Sequence, residues 1–251
     1  MKTICLIFLL LCSYLPVALA QDAAALLKEA HRLEVLMNEK AAFEKIKEAL
    51  KLQPGNINAL NKSSELCSRI GKREATPEKR EAYYTAAKNY AAAALRLSPN
   101  NAEAHCVMAI ALGRTSLNHS GKEKINAAKE IKKHVDQALA LDPLNYKAWH
   151  VLGRWHYELS NLNMFERAAV RLLFGSLPAS SFAESVKAFE KAGGISKNFI
   201  LNYYEMAKAY KKNSQKQHAI AALRTLQQLP NQTEDDEQIK AEARQLLNDW
   251  L

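Results

Sequence analysis

The stretch that decides the fold spans residues 141–178 and reads LDPLNYKAWHVLGRWHYELSNLNMFERAAVRLLFGSLP. Near its start stands the pattern Trp149-x-x-Leu152-Gly153-x-x-His156. On an α-helix, Trp149, Leu152 and His156 fall on one face, because side chains three, four and seven positions apart are neighbours. Gly153 has almost no side chain and would let another helix approach closely. The pattern therefore predicts a helix that packs tightly against its neighbours.

The spacing resembles the first helix of a tetratricopeptide (TPR) repeat, W-x-x-L-G-x-x-Y, with histidine in place of the final tyrosine. A proline that follows a leucine by two residues recurs at separations of 45 and 44 residues, at Pro54, Pro99 and Pro143. Five residues after each proline stands an alanine: Ala59, Ala104 and Ala148. The period exceeds the usual 34 residues. The extra residues either form loops at 71–80 and 118–124 or lengthen the second helix of each pair.

These patterns predict an all-α fold, a TPR-like α-solenoid of about five helix pairs. Residues 21–251 form one repeat domain with a helical insertion at 161–181 and a capping helix within 233–251, where Thr233 is the expected N-cap and Asp236 the acid of a capping box. The predicted helices cover residues 22–37, 39–52, 56–70, 81–97, 101–117, 123–141, 145–160, 180–192, 197–212, 214–229 and 234–249.

Residues 1–20 have the features of a secretory signal peptide. Lys2 precedes an apolar run over residues 4–12, and the segment ends Ala18-Leu19-Ala20. The apolar run is short for a membrane span. We therefore expect cleavage after Ala20 and a secreted or periplasmic protein.

The net charge indicates the kind of partner to expect, and the cysteine content indicates whether a disulfide can form. The chain has 35 Lys+Arg against 26 Asp+Glu, a net charge of +9, which favours acidic partners. Because we expect the chain to be exported, nucleic acid is the least expected kind of acidic partner. Only Cys67 and Cys106 follow the signal segment. They should not bond each other, because a six-residue offset between adjacent parallel helices separates them by about 9 Å, beyond the roughly 7 Å limit for bridged α-carbons.

Several segments of residues 80–250 resemble the regulator of microtubule dynamics family. They are AWHVLGRWHYELS (148–160), the insertion ending LLFGSLPAS (172–180), LPNQTEDDEQIKAEARQLL (229–247) and KEIKKHVDQALALDP (129–143). The resemblance implies a TPR-like helical array, microtubule association and, in some relatives, lipid binding at membranes, with no catalytic motif. An exported chain would not meet microtubules, so the signal segment and the family name point in different directions.

The candidate site is the inner surface that first helices line in TPR arrays. The side chains at its inward offsets are basic or aromatic. They are Arg69, Arg114, Lys147, His150, Arg154, Tyr157, Tyr204, Lys208, Lys211 and Lys212. Such a groove suits a carboxylate or phosphate, so we expect a protein or acidic-peptide partner. The alternatives are solvated helix faces, or an anionic-lipid site with the 161–181 insertion as its lid. The insertion itself either covers a ligand or touches a membrane, or it packs over the neighbouring repeat and lengthens the core.

Enzymatic motifs are missing from the sequence. GxSxG, HExxH and GK[ST] do not occur, and the seven histidines show no metal-ligand spacing. We therefore predict a non-enzymatic protein without metal or cofactor. Asn61, Asn118 and Asn231 begin glycosylation sequons, which matter only in a eukaryotic host.

Overall fold

The computed structural model describes residues 21–116, 121–174 and 179–251. All regular elements within these ranges are α-helices and none is a strand, which confirms the predicted all-α class. The helices are α1 (21–35), α2 (Glu39–Leu52), α3 (Ile57–Arg73), α4 (Pro77–Leu97), α5 (Ala102–Thr115), α6 (Gly121–Leu141), α7 (Tyr146–Ser160), α8 (Met164–Phe174), α9 (Phe182–Ile195), α10 (Ile200–Lys212), α11 (Lys216–Gln228) and α12 (Asp236–Trp250). The predicted signal segment lies outside the described residues.

The helices pack in pairs. α3 packs on α4, α5 on α6, α7 on α9 and α10 on α11, while α12 covers the α10–α11 pair. α1 and α2 line a common cleft. This arrangement confirms the predicted TPR-like pairs and the C-terminal cap. The chain divides into two compact units, one ending at Ser98 and the other running from Pro99 to Leu251.

The recurrent proline and alanine belong to one capping motif. Two residues after Pro54, Pro99 and Pro143 stand Asn56, Asn101 and Asn145, and each asparagine side chain accepts a hydrogen bond from the backbone N–H of the following Ala59, Ala104 or Ala148. Those alanines are fully buried. The repeat in the sequence thus marks the start of each first helix, where the asparagine satisfies an N–H that has no partner within the helix.

The extra length of the repeats lies in the helices. Of the two alternatives for residues 71–80, the loop is wrong and the longer second helix is confirmed, because α3 continues to Arg73 and α4 starts at Pro77, with Thr76 accepting from the Lys79 N–H. Proline suits the first helical position, since its missing N–H would be unsatisfied there. Residues 121–124 of the second predicted loop begin α6, and its other residues lie outside the described ranges. α4 and α6 each contain 21 residues.

Gly153 allows close approach between α7 and α9, as predicted. A Cβ atom at this position would lie 2.7 Å from the ring of the fully buried Phe189. The Gly153 carbonyl also accepts a 2.8 Å hydrogen bond from the Ser185 hydroxyl. Leu152 and Trp149, by contrast, are only half-buried. Trp149 and Leu152 therefore pack less tightly than the pattern predicted.

The insertion contains a helix, α8, which packs against α6. The Arg167 guanidinium donates to the carbonyls of Ser160 and Leu162 and thereby holds the start of α8 to the end of α7. Met164 and Leu172 remain 79% and 87% exposed. Both predicted roles stay open, because α8 packs on α6 and also presents apolar side chains to solvent.

The start of the capping helix differs from the prediction in one detail. α12 begins at Asp236, and Asp235 rather than Thr233 is the N-cap residue. The Asp236 carboxylate accepts from the N–H groups of Gln232 and Thr233, at 2.7 and 2.8 Å. It therefore reaches back over the helix start, as the acid of a capping box does. Ile239 and Ala243 are buried against the α10–α11 pair.

Cys67 and Cys106 are both buried thiols. Burial raises the pKa of the Cys67 thiol to about 12. Asn61 is also buried, at 4% exposure within α3, whereas Asn231 is partly exposed; Asn118 lies outside the described residues. A buried sequon asparagine is closed to modification in the folded protein. None of the helices in the described ranges combines the length and the apolarity that a membrane span requires.

Candidate partner-binding surface

Four predicted site residues meet where α7 packs beside α10. Arg154 and Tyr157 come from α7, while Tyr204 and Lys208 come from α10, and we call these four side chains with Glu205 the α7–α10 surface. The Lys208 ammonium lies 5.8 Å from the Tyr157 ring centroid and 5.0 Å from that of Tyr204. Both distances are within the range of cation–π attraction. The two aromatic rings thus flank one cation.

The buried carboxylate of Glu205 lies beneath these side chains and forms ion pairs with two of them. Its side chain is only 5% exposed; one oxygen lies 2.7 Å from Arg154 Nη1 and the other 2.8 Å from Lys208 Nζ. Burial alone would raise the pKa of Glu205, but Arg154 and Lys208 overcome that effect and lower it. Glu205 is therefore ionised at neutral pH and fixes the positions of two cations.

Arg154 has a second, weaker partner. Its Nη2 lies 2.9 Å from Glu158 one turn along α7, and the Glu158 side chain is 60% exposed. Exposed pairs of this kind contribute little, because water and salt screen them. The Nη2 atom of Arg154, which pairs with Glu158, is therefore the one whose present partner another acid can replace most readily.

His150 lies beneath the surface and is not one of its cations. It is buried, and its Nδ1 lies 3.1 Å from Asn202 Oδ1. Because Asn202 Nδ2 donates to the Phe189 carbonyl, its oxygen is the acceptor and His150 Nδ1 carries the proton. Burial lowers the pKa of His150 to about 4. His150 is therefore neutral at physiological pH and supports the packing of α7 on α10.

The other predicted residues of this unit lie at the margins. Lys147 donates to the Glu103 carboxylate of α5, which also accepts from Asn145. Lys211 lies 5.2 Å from the Trp250 ring centroid of α12. Lys212 is exposed at the end of α10, and Arg114 is half-buried near the end of α5. Each stands on a first helix, as the register predicted.

Arg69 belongs to the other unit and to a more enclosed network. Arg69 bridges Glu34, Glu39 and Glu65 at 3.1 to 3.3 Å, and Arg73 pairs with Glu39 at 2.6 Å. Glu39 is 1% exposed, and both arginine side chains are 20% exposed. This cluster ties α3 to α1 and α2.

The prediction missed the carboxylates. Glu39, Glu103 and Glu205 hold most of the predicted cations, although only basic and aromatic side chains were expected at the site. For Glu205 a signal existed, since it stands three residues before Lys208 and side chains at that spacing are neighbours on a helix. Its pairing with Arg154, 51 residues away, depends on how α7 and α10 pack. The groove as a ligand site remains a prediction.

Comparison with solved structures supports the TPR-like all-α fold described above. A crystal structure of a thermophilic TPR protein from Thermus thermophilus superposes with a TM-score of 0.66 at 14% identity, covering 90% of this chain and 99% of that one. The structure of Pseudomonas aeruginosa pilF superposes with a TM-score of 0.54 at 14% identity, covering 93% and 90%. At this identity the likeness concerns the fold alone. The molecule is a TPR-like helical repeat protein.

The sequence relatives define the family. The family model described as Regulator of microtubule dynamics protein 1-3 matches residues 26–250, and the chain belongs to this family. It is 32% identical over 162 residues to the mouse (Mus musculus) Regulator of microtubule dynamics protein 1, covering 64% of this chain and 53% of the relative. It is 28% identical over 170 residues to the Caenorhabditis elegans protein of that name, covering 68% and 75%. The chain spans about half the length of the mammalian relatives that it matches.

Proposed function

We propose that this chain is a non-enzymatic TPR scaffold that binds an acidic segment of a protein partner on the α7–α10 surface. The observation that carries the proposal is that one buried carboxylate, Glu205, positions both Arg154 and Lys208. Two cations share one full partner there, and Arg154 and Lys208 are still 38% and 28% exposed. The two cations and Glu205 together carry one net positive charge, which is paired with the exposed Glu158 and is within reach of a ligand.

A partner carboxylate has a defined place to bind. It would take the position of the exposed Glu158 beside Arg154 and approach Lys208 at the same time. Charge-assisted hydrogen bonds to guanidinium and ammonium groups are among the stronger polar contacts. Because Glu205 already holds both cations in place, little side-chain entropy is lost on binding.

The tyrosine rings supply the apolar part of the contact. Tyr157 and Tyr204 are half-buried and border Lys208. Tyrosine combines a large apolar area with few rotatable bonds, which suits it to partner surfaces. An acidic segment with neighbouring apolar side chains thus matches the surface better than a purely charged one.

The partner's identity depends on where the chain resides. The relatives are named for regulating microtubule dynamics, and a microtubule protein is the partner class that this name suggests. Cleavage of residues 1–20 after Ala20 would instead place the chain in a secreted or periplasmic setting with a partner there. In both settings we propose the same chemistry, an acidic segment, and no catalysis.

The proposal is tested by titrating a fluorescein-labelled peptide of ten residues that alternates glutamate and leucine. Fluorescence anisotropy should show saturable binding that weakens at least tenfold in the Arg154→Gln, Lys208→Gln double variant. The control variant, Lys216→Gln with Arg224→Gln, makes the same charge change on exposed positions of α11 and should bind as the wild type does. Equal weakening in both variants would mean that net charge alone attracts the peptide. No saturable binding by the wild type would overturn the proposal.

Lipid binding is the second candidate, and the exposed apolar side chains of α8 favour it. Met164 and Leu172 present apolar area to solvent, as a helix that contacts a membrane or covers a lipid would. Flotation with vesicles of phosphatidylglycerol and phosphatidylcholine tests it. The Met164→Ser, Leu172→Ser variant should lose flotation, while the Arg154→Gln, Lys208→Gln variant should retain it if α8 is responsible. Wild-type protein that does not float excludes this candidate.

A further inference from the structure

Two histidines of the α5–α6 pair face each other directly. His105 Nδ1 on α5 lies 2.9 Å from His134 Nδ1 on α6, and the ring centroids are 5.1 Å apart. The second nitrogen of His105, Nε2, lies 2.9 Å from the Pro99 carbonyl. His105 is buried and His134 is half-buried. This contact lies outside the α7–α10 surface.

The contacts dictate where the protons lie. A carbonyl oxygen can only accept, so His105 Nε2 carries a proton and donates it to Pro99. In neutral His105 the other nitrogen, Nδ1, is then an acceptor. His134 Nδ1 must therefore donate to it, and a single proton joins the two rings. If both rings were protonated, two N–H groups and two positive charges would face each other at 2.9 Å.

We propose that the His105–His134 pair is an acid-sensitive clasp that holds α5 to α6 when neutral and releases this contact when both rings become protonated. The clasp is distinct from the proposed partner site. Glu103, two residues before His105 on α5, pairs with Lys147 of α7, which lies at the margin of that site.

The surrounding charges do not remove this sensitivity. Burial, His105 and Lys133 lower the pKa of His134, whereas Glu130 opposes them. On α7, which packs against α6, His156 interacts with Lys132 and Asp136. On α8, Arg167 donates to backbone carbonyls. Within the described part of the chain, Glu130 is the acid that acts on His134, and it stands on the same helix.

The direction of the effect follows from linkage. Folded His134, which faces His105, resists the proton that it accepts near pH 6.5 in the unfolded chain, so the unfolded state binds more protons below that pH and stability falls as the pH falls. One histidine that stays neutral in the folded state raises the unfolding equilibrium constant by about tenfold between about pH 7.5 and about pH 5.5. The loss is present below the unfolded pKa and absent above it.

The His134→Asn variant tests the clasp. The asparagine amide takes the place of Nδ1 and still donates to His105, but it does not titrate. All three tryptophans, Trp149, Trp155 and Trp250, lie in the unit that starts at Pro99, so urea unfolding followed by tryptophan fluorescence monitors the correct unit. Between about pH 7.5 and about pH 5.5 the unfolding constant of the variant should rise about tenfold less than that of the wild type. His218→Asn, at an exposed position of α11, should leave the wild-type pH dependence unchanged.

A second measurement on the wild-type chain keeps the proposal testable if the variant fails to fold. Long-range nitrogen–proton NMR of the histidine rings should show His105 protonated at Nε2 and His134 at Nδ1 at about pH 7.5, with at most one further proton taken up by the folded pair at about pH 5.5. The proposal is overturned if both rings gain a proton near about pH 6.5 in the folded state. It is also overturned if His134→Asn has the same pH dependence as the wild type.

Discussion

The two units each bury one carboxylate against cations, with different results. In the first unit Glu39 is 1% exposed and pairs with Arg69 and Arg73, both 20% exposed. In the second, Glu205 is 5% exposed and pairs with Arg154 and Lys208, which are 38% and 28% exposed. In the first unit the ion pairs are largely shielded from solvent, whereas in the second unit the cations remain in contact with solvent. An arginine at an inward-facing position of a first helix can therefore stabilise the fold or remain available to a ligand. Which of the two holds depends on what surrounds the carboxylate that it pairs with.

The difference has a simple origin in the chain. Arg69 also meets Glu34 and Glu65, so three acids from three helices surround it. Arg154 has one buried acid and one acid that is exposed. Neutralising the acid of a buried ion pair leaves its cations with fewer partners, and the cost is greater where those cations are less exposed to water. The cost of neutralising each acid should follow the enclosure of its partners.

The largest expected effect is therefore at Glu39. Glu39→Gln should lower the free energy of unfolding by about 3 kcal/mol and Glu205→Gln by about 2 kcal/mol, since breaking a buried pair is costly and exposure of the partner reduces the cost. Far-ultraviolet circular dichroism in urea monitors both units, and tryptophan fluorescence monitors the second. Glu158→Gln, at a mostly exposed acid, is the control and should change stability by less than about 0.5 kcal/mol. A greater loss at Glu205 than at Glu39 would reverse the comparison.

Acid should act on the second unit through His150 as well. The folded pKa of about 4 is below the ordinary 6.5, so the unfolded chain takes up the proton first and stability falls as the pH drops below 6.5. Between about pH 7.5 and about pH 5 this amounts to about 2 kcal/mol. His150→Asn keeps a donor for Asn202 without a titrating ring, and its unfolding should depend less on pH by that amount. An unchanged pH dependence would show that His150 titrates normally.

A glycine in each unit offers a matched test of helix packing. A Cβ at Gly153 would meet the Phe189 ring at 2.7 Å, and one at Gly71 would meet Tyr83 and Tyr84 at 2.9 Å. Gly153→Ala should lower stability by about 2 kcal/mol, because overpacking displaces the buried Phe189 ring. Gly71→Ala should lower it by slightly less, because Tyr83, one of the two side chains that must shift, is only half-buried. Gly113→Ala is the control, since nothing lies within 4 Å, and alanine there should raise stability by up to about 1 kcal/mol. Thermal unfolding of the three variants decides the order; a stabilised Gly153→Ala would contradict the packing.

The smallest effects should come from the asparagine caps. Asn56→Ala and Asn145→Ala each remove the bond to an N–H of the first helical turn, which costs about 1 kcal/mol. Asn145 should cost more, because its amide donates to the charged Glu103 carboxylate at 3.2 Å, whereas the Asn56 amide donates to the neutral side chain of Gln53 at 3.1 Å. Urea unfolding measures both variants. Equal losses would indicate that the bond to Glu103 contributes no more than the bond to Gln53.

Much of the fold follows from local chemistry, and the sequence carries that chemistry openly. The capping asparagine, the alanine three residues later and the close-packing Gly153 act within one turn or on one neighbour, so their spacing repeats and is visible. The predicted start of α4 was wrong because a polar stretch containing Thr76 and Pro77 was interpreted as a loop, although those two residues also form a good helix N-terminus. Such stretches are ambiguous until the neighbouring helix is placed.

The candidate site depended far more on tertiary structure. The basic and aromatic register from Lys147 to Lys212 was visible in the sequence, as were the all-α class, the helix pairs and the family. Which cations are enclosed and which are available was not, because Arg154 and Glu205 are 51 positions apart and meet only when α7 packs on α10. Charge on a side chain is a property of its residue, but exposure, ion pairing and protonation are properties of its surroundings. The sequence alone determined the architecture of this protein, and the packing of its helices decided which side chains remain available to bind.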